Sequence, residues 1–329
     1  MKTTMIPPSE LIINDDGSIF HLHLRPEQLA DRIILVGDPA RVTMIGEYLD
    51  EKECDVRSRE FHTITGRYHG KRITVVSHGI GGDNIDIVLN ELDALANIDL
   101  ATRTVKPDFR QLTMVRIGTS GGLQPSVPVG TYVAAGRAIG FDGVIYFYDQ
   151  TEQIRDTTFE KELLRQLDWT IDGLRPYVVP ADPSLLEQIT LDDIQRGITI
   201  AANGFYSAQG HSLRLPLTDP KLNRKIEAFD FEGQHITKFK IKSSALARLS
   251  ALMGHRALTV CCIIAGRVNK NMNTDYKTNL IQLIEKVRHG QFVRVRSLTA
   301  AGCFSNLCLR LLDGILAASR FWSPNKFQF

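Results

Sequence analysis

Apolar residues along this chain fall into two patterns that alternate with each other. Continuous hydrophobic runs of strand length occur at Asp31–Val36, Leu112–Val115, Val129–Ala135, Ile198–Ala202 and Leu258–Ile264, as strands buried on both faces require. Helical spacing predicts helices from Pro39 onward (Val42, Ile45, Leu49) and over Ile85–Asn97, Thr158–Trp169, Ser243–Gly254 and Tyr276–Val287. Asp38 suits an N-cap, with Pro39 at the first helical position. Two-residue alternation marks Ser18–Leu24, Arg59–Tyr68 and Lys238–Lys242 as half-buried strands, and His69-Gly70 as a hairpin turn into Ile73–Val76. The polar stretch from Trp169 to Gly197 reads as a connection. Strands alternating with helices predict an α/β domain, with its ligand beyond the carboxyl ends of the strands.

The ends of those strands carry the candidate chemistry. Val115 leads into Arg116, then into Gly118, Thr119, Ser120, Gly121 and Gly122, read as a turn. Glycines let backbone N–H groups approach an anion, hydroxyls donate, and a guanidinium offers a fork of charge-assisted donors. Gly37 lies at a strand-to-helix turn with Arg41 in the first helical turn, where a cation opposes the helix dipole. A ligand contact and a solvated arginine weigh equally there on the sequence alone. Ser77-His78-Gly79-Ile80-Gly81-Gly82 forms a second glycine-rich turn.

Composition narrows the function classes. The chain has 329 residues and a formal charge of +2, too near neutral for a whole-molecule nucleic-acid footprint. No apolar run reaches the length of a membrane span and no secretory leader is read, so a cytoplasmic location is expected. The five cysteines, Cys54, Cys261, Cys262, Cys303 and Cys308, are unevenly spaced and do not suggest a disulfide framework or a zinc site. Cys261 and Cys262 should point to opposite faces of a strand, as core packing. Residues 1–17 form an N-terminal arm, 18–287 the α/β domain and 288–329 an atypical tail, whose aromatics pack on the domain or on another subunit.

Seven short motifs, in order, resemble the uridine phosphorylase branch of the nucleoside phosphorylase family. They are Phe20-His21-Leu22, Val36 to Arg41, Arg59-Glu60-Phe61, Ser77 to Gly82, Arg116 to Gly121, Phe205-Tyr206-Ser207-Ala208-Gln209 and Ala265-Gly266-Arg267. The resemblance implies a single domain around a mixed, distorted central sheet flanked by helices, a three-layer sandwich. It also implies an active site at a dimer interface, in a homodimer or in a hexamer of dimers. The implied reaction is phosphorolysis of a nucleoside, uridine foremost, to free base and ribose 1-phosphate, with inorganic phosphate as co-substrate and no cofactor. By the same resemblance Gly37, Arg41, Arg116 and Thr119 hold phosphate, with Arg59 from the neighbouring subunit. Arg41, Arg116 and Thr119 are then the catalytic set. Phe205 stacks on the base, Gln209 reads its edge, His211 stands where relatives have an arginine, and Arg267 is a base-side arginine. His21 meets the ribose from the partner subunit. Relatives can hold potassium through the equivalent of Glu60, although a serine of that site is Asn84 here.

The ribose motif departs from the family. Where relatives read approximately Asn-aromatic-Glu-Met-Glu-Ser, this chain has Lys238-Phe239-Lys240-Ile241-Lys242-Ser243. Ile241 can pack on the sugar as the methionine does. Lys242, a donor only, cannot accept from ribose hydroxyls. Two functional readings follow: a nucleoside phosphorylase, or a catalytically impaired relative that binds phosphate or a ribose phosphate. A solvated basic strand face is the bland reading of the alternate lysines.

Overall fold

The buried apolar runs become the middle of one large mixed sheet. In chain order its strands and helices are β1 (Arg32–Val36), α1 (Pro39–Gly46), β2 (Glu51–Ser58), β3 (Phe61–Tyr68), β4 (Lys71–Ser77) and α2 (Asp83–Asn97). A separate two-stranded ribbon, β5 (Ile98–Asp99) and β6 (Thr104–Val105), precedes β7 (Thr113–Gly122), β8 (Tyr132–Phe141), α3 (Thr157–Leu167), β9 (Tyr177–Pro180), α4 (Pro183–Ile189) and β10 (Ile194–Ala202). Then come α5 (Leu222–Ala228), β11 (Asp230–Phe231), β12 (Gln234–Lys240), α6 (Ser243–Leu252), β13 (Arg256–Gly266), β14 (Asn271–Met272) and α7 (Tyr276–Arg288). This computed structural model describes residues 4–190, 193–240, 242–266, 271–273 and 276–288, all within a unit spanning Met1–Arg294. Ile241, Arg267, Cys303, Cys308 and the tail after Arg288 lie outside the described residues.

The sheet runs β11-β12-β10-β8-β13-β7-β1-β4-β3-β2. Its centre is parallel, β4 with β1, β1 with β7 and β7 with β13, while β8 runs antiparallel to β13. β12 pairs with β10 and also returns to β7, through Lys238 opposite Gly122 and Phe239 opposite Gly121. That second pairing closes β7, β13, β8, β10 and β12 into a ring. Glycine is required where the ring tightens: a Cβ on Gly122 would lie 2.7 Å from the Val127 carbonyl oxygen. Gly118 to Gly122 are therefore strand, and the expected turn is corrected. The hydroxyls and glycines there serve strand pairing as well as access.

Other expectations differ in informative ways. Ser18–Leu24 alternates but makes only a bridge at Ile19 to Ile13, because His23 turns the chain at φ +51°. β2 escapes the hydrophobic pattern because it is an exposed strand at the sheet's end, with charged residues at most positions. β9 and α4 fall within the stretch read as a connection. Asp38 does cap α1, its side chain accepting from Ala40 N, with Pro39 next. His69 (φ +46°) and Gly70 (φ +73°) form the expected hairpin turn between β3 and β4.

Apolar clusters lie on both sides of the sheet. One gathers α1, α4 and α7 with Val115, Ile117 and Val260; another gathers α2, α6 and the N-terminal Leu11, Ile19 and Leu22. Gly66 on β3 meets β2 so closely that a Cβ would lie 2.2 Å from the Glu51 carbonyl oxygen. Gly66→Ala is expected to cost about 2–3 kcal/mol, read as a lowered denaturant midpoint, because the obstacle is backbone and cannot rotate away.

Candidate active site

Arg116 on β7 is the buried centre of the site, 1% exposed. Its Nε donates to His78 Nε2 at 3.0 Å, just beyond the end of β4. That bond makes His78 Nε2 an acceptor and places the imidazole proton on Nδ1, which is buried and has no partner. Arg116 Nη1 is likewise buried and unpartnered. Burial, then Arg116, Lys242 and Lys240, push His78 well below its usual range, so it stays neutral.

The lysines are the second component, and they are not a solvated face. Lys238 is fully buried and Lys242 is 6% exposed. Lys238 Nζ donates at 2.5 Å to the Val133 carbonyl on β8, a strand that is not adjacent to β12, so the bond crosses the ring. Lys240 Nζ donates to the Thr119 carbonyl. Lys242 lies just before α6 and reaches the glycine turn after β1: a Cβ on Gly37 would be 3.5 Å from Lys242 Nζ and 3.7 Å from His78 Cε1. Burial first, then Arg116 and Arg41, bring Lys242 down to about 7, with Cys261 opposing. Burial and Arg116 also lower Lys238 and Lys240.

Cys261 is the feature that sequence reasoning missed. It pairs in register with Gly118 on one side and Val133 on the other, which sets it among Arg116, Lys240 and Lys238. Burial raises its thiol, but Lys238, Lys240 and Arg116 outweigh that and bring it down to about 7. Cys262 does face an apolar cluster, and burial pushes it up to about 11. The expected opposite faces are present, and only one of them is ordinary core packing. No spacing rule signals Cys261, since its partners come from three other strands.

The glycine opposite Cys261 makes room for the cations. A Cβ on Gly118 would lie 2.6 Å from Arg116 Nη1 and 3.0 Å from Lys240 Nζ, both mobile side-chain ends. Gly118→Ala is expected to fold with a stability loss of only about 1 kcal/mol, yet to weaken inorganic phosphate binding roughly tenfold by displacing Arg116. Isothermal titration reads that difference.

The remaining candidates form two further groups. Arg59, at φ +53°, holds its guanidinium 5.6 Å from the Phe20 ring centroid, and Phe20 contacts His21 edge-on. Glu91 on α2 fixes His21: its carboxylate accepts from the backbone N–H of His21 at 3.0 Å and of Leu22 at 2.8 Å, and contacts His21 Nδ1 at 2.5 Å. Phe205, 55% exposed, stacks on His211 with centroids 5.2 Å apart and meets Tyr206 edge-on. Gln209 is buried, and its Nε2 donates to the Gly204 carbonyl at 3.2 Å. Arg267 and Ile241 lie outside the described residues. Among the described residues no helix is long and apolar enough to cross a membrane, and no group of three or more His, Cys, Asp or Glu is placed to hold a metal ion.

The fold is a mixed α/β sheet in which a buried arginine, unpartnered donors and a glycine turn lie at strand ends. Comparison with known proteins makes this specific. The chain belongs to the phosphorylase superfamily, which matches residues 31–289, and within it to the nucleoside phosphorylases. It is 28% identical to the uridine phosphorylase of Thermococcus kodakarensis over 260 residues, 77% of this chain and 79% of that protein. The uridine phosphorylase of Haemophilus influenzae is also 28% identical, over 78% of this chain and 89% of its own. A solved Trypanosoma brucei nucleoside phosphorylase, described as showing uridine phosphorylase activity, superposes with a TM-score of 0.77 at 28% identity, covering 86% of this chain and all of that one.

Proposed function

We propose that this chain phosphorolyses a nucleoside, with uridine as substrate and inorganic phosphate as attacking anion. The observation that carries this reading is the buried Arg116, whose Nη1 has no partner among the described residues and lies beside Gly118. A buried guanidinium nitrogen left without an acceptor costs stability unless a ligand completes it. In this reading Gly37, Arg41, Arg116 and Thr119 hold phosphate beneath C1′. Phe205 stacks on uracil, Gln209 and His211 address its edge, and His21 and Arg59 serve the site of a neighbouring subunit in a homodimer. The exposed Arg59, over the half-buried Phe20 and His21, supports such an exchange. Phosphate lowers the barrier by in-line attack as the N-glycosidic bond breaks, and the base leaves with negative charge.

A second reading, phosphate or ribose phosphate binding with little turnover, is favoured by the lysines. The charged groups around Lys238, Lys240 and Lys242 are Arg116, Arg41, one another and Cys261, and no carboxylate is among them. Release of uracil from uridine, dependent on added phosphate, decides between the two. No turnover above background at millimolar uridine and phosphate would remove the first. The Glu60 site fits potassium poorly: Asn84 Nδ2 donates to Glu60 Oε1 at 3.1 Å, turning a donor toward the carboxylate.

A further inference from the structure

We infer that Lys242 is a ligand of the phosphate site itself, a third cation beside Arg116 and Arg41 at the Gly37 turn. The inference rests on the phosphate site proposed above and changes which part of the substrate the residue serves.

The geometry comes from both ends of the side chain. Its backbone precedes α6, where the family's ribose motif would place a carboxylate, but its Nζ lies at the Gly37 turn, 3.5 Å from where a Cβ on that glycine would be. His78 Cε1 lies at 3.7 Å from the same point, and Arg116 bonds His78 at 3.0 Å. Lys242 Nζ and His78 Cε1 thus lie together at the Gly37 turn, Arg116 joins them through its bond to His78, and Arg116 Nη1 and His78 Nδ1 are buried without partners. Lys242 Nζ has no hydrogen-bond acceptor among the described residues. Lys238 and Lys240, by contrast, spend their ammonium groups on the Val133 and Thr119 carbonyls. Of the lysines in the motif, Lys242 alone keeps its amine donors unspent.

The ligand class follows from the donors. A tetrahedral oxyanion carrying two negative charges can accept from a guanidinium, an ammonium and an imidazole N–H at once and neutralise charges that have no carboxylate between them. Lys242 is also one of two groups, with Cys261, whose charge changes near neutrality, so occupancy is coupled to pH. The groups facing it are Arg116 on β7, Arg41 on α1, His78 after β4, Lys240 on β12 and Cys261 on β13. Deprotonation of Cys261 would repel an anion over the same range, so the two effects must be separated by substitution.

The test uses sulfate, a dianion throughout pH 6–9, titrated calorimetrically into the full chain and into Lys242→Met and Lys242→Gln. Thermal melts at each pH confirm that the variants fold. For the unaltered protein, affinity is expected to fall as pH rises above 7, and both variants are expected to bind about tenfold or more weakly at pH 6.5 and to show a shallower profile, with the slope that Cys261 supplies. Equal or tighter binding by both variants would mean that Lys242 fills the site as a plug and would overturn the inference. So would a pH slope undiminished in both, which would assign all of it to Cys261. Uridine phosphorolysis, run on the same preparations, separates the two claims. Lys242-dependent sulfate binding without uracil release would defeat the proposed activity and leave the ligand assignment standing.

Discussion

Lys242→Glu is expected to raise kcat for uridine phosphorolysis by about two to three orders of magnitude while raising the KM for phosphate. The first effect comes from the sugar. Bond cleavage builds positive charge on the ribose, and a like charge about 4 Å away costs ~4 kcal/mol at an effective dielectric near 20, roughly a thousandfold in rate. Lys242 sits at about 7 in the empty site, but phosphorolysis requires bound phosphate, and the dianion draws the proton back onto the amine, so the charged form governs kcat. A glutamate would also accept hydrogen bonds from ribose hydroxyls, which the ammonium cannot do. The second effect comes from the anion, which loses one of its cations. Steady-state kinetics with uridine and phosphate varied independently separate these effects. Unchanged kcat would show that position 242 does not face the sugar in either form.

How much of this could be read from the sequence depends on how local the cause was. β1, α1, α2, β13 and α7 are announced by runs of Val, Ile and Leu or by helical spacing, because each buries its own pattern. β2 is hidden because its stability comes from pairing with β3 rather than from a hydrophobic face. The Arg116 segment reads as a strand end with candidate anion donors, and its glycines read as a turn. Only the return of β12 to β7, a contact between residues more than a hundred positions apart, makes them strand. The same closure explains the lysines. Alternation correctly places Lys238 and Lys240 on one face, but an isolated strand does not reveal that the face looks into a closed ring. Cys261 was invisible for the converse reason, as its neighbours lie on β7, β8 and β12 and nothing in Val260-Cys261-Cys262 encodes them. The site is assembled from distant strands, so residue types were legible and their charge states were not.

Those charge states set the last expectation: stability should climb steeply between neutral pH and about pH 10, and Lys242→Met should remove a large part of the rise. Lys242 sits at about 7 in the fold against an ordinary value of 10.5. Between these values the unfolded chain binds a proton that the folded chain releases, so unfolding becomes less favourable as pH increases. The full penalty, ~4–5 kcal/mol from a shift of that size, is present below pH 7 and vanishes above the unfolded value. Cys261 acts in the same direction. Its folded value, about 7, lies below its ordinary 9.0, so the stability it contributes is complete above pH 9 and is lost as pH falls through 7. Because the thiolate and the lysines interact, the steps belong to the cluster rather than to single residues. Urea midpoints at pH 7 and pH 9.5, under reducing conditions, should therefore differ strongly for the unaltered chain and much less for Lys242→Met, with the variant the more stable of the two at pH 7. Saturating sulfate should narrow the same gap by compensating the cations that folding leaves uncovered. A profile that is flat, or that falls over this interval, would mean that water reaches these lysines and that the cluster is not buried charge.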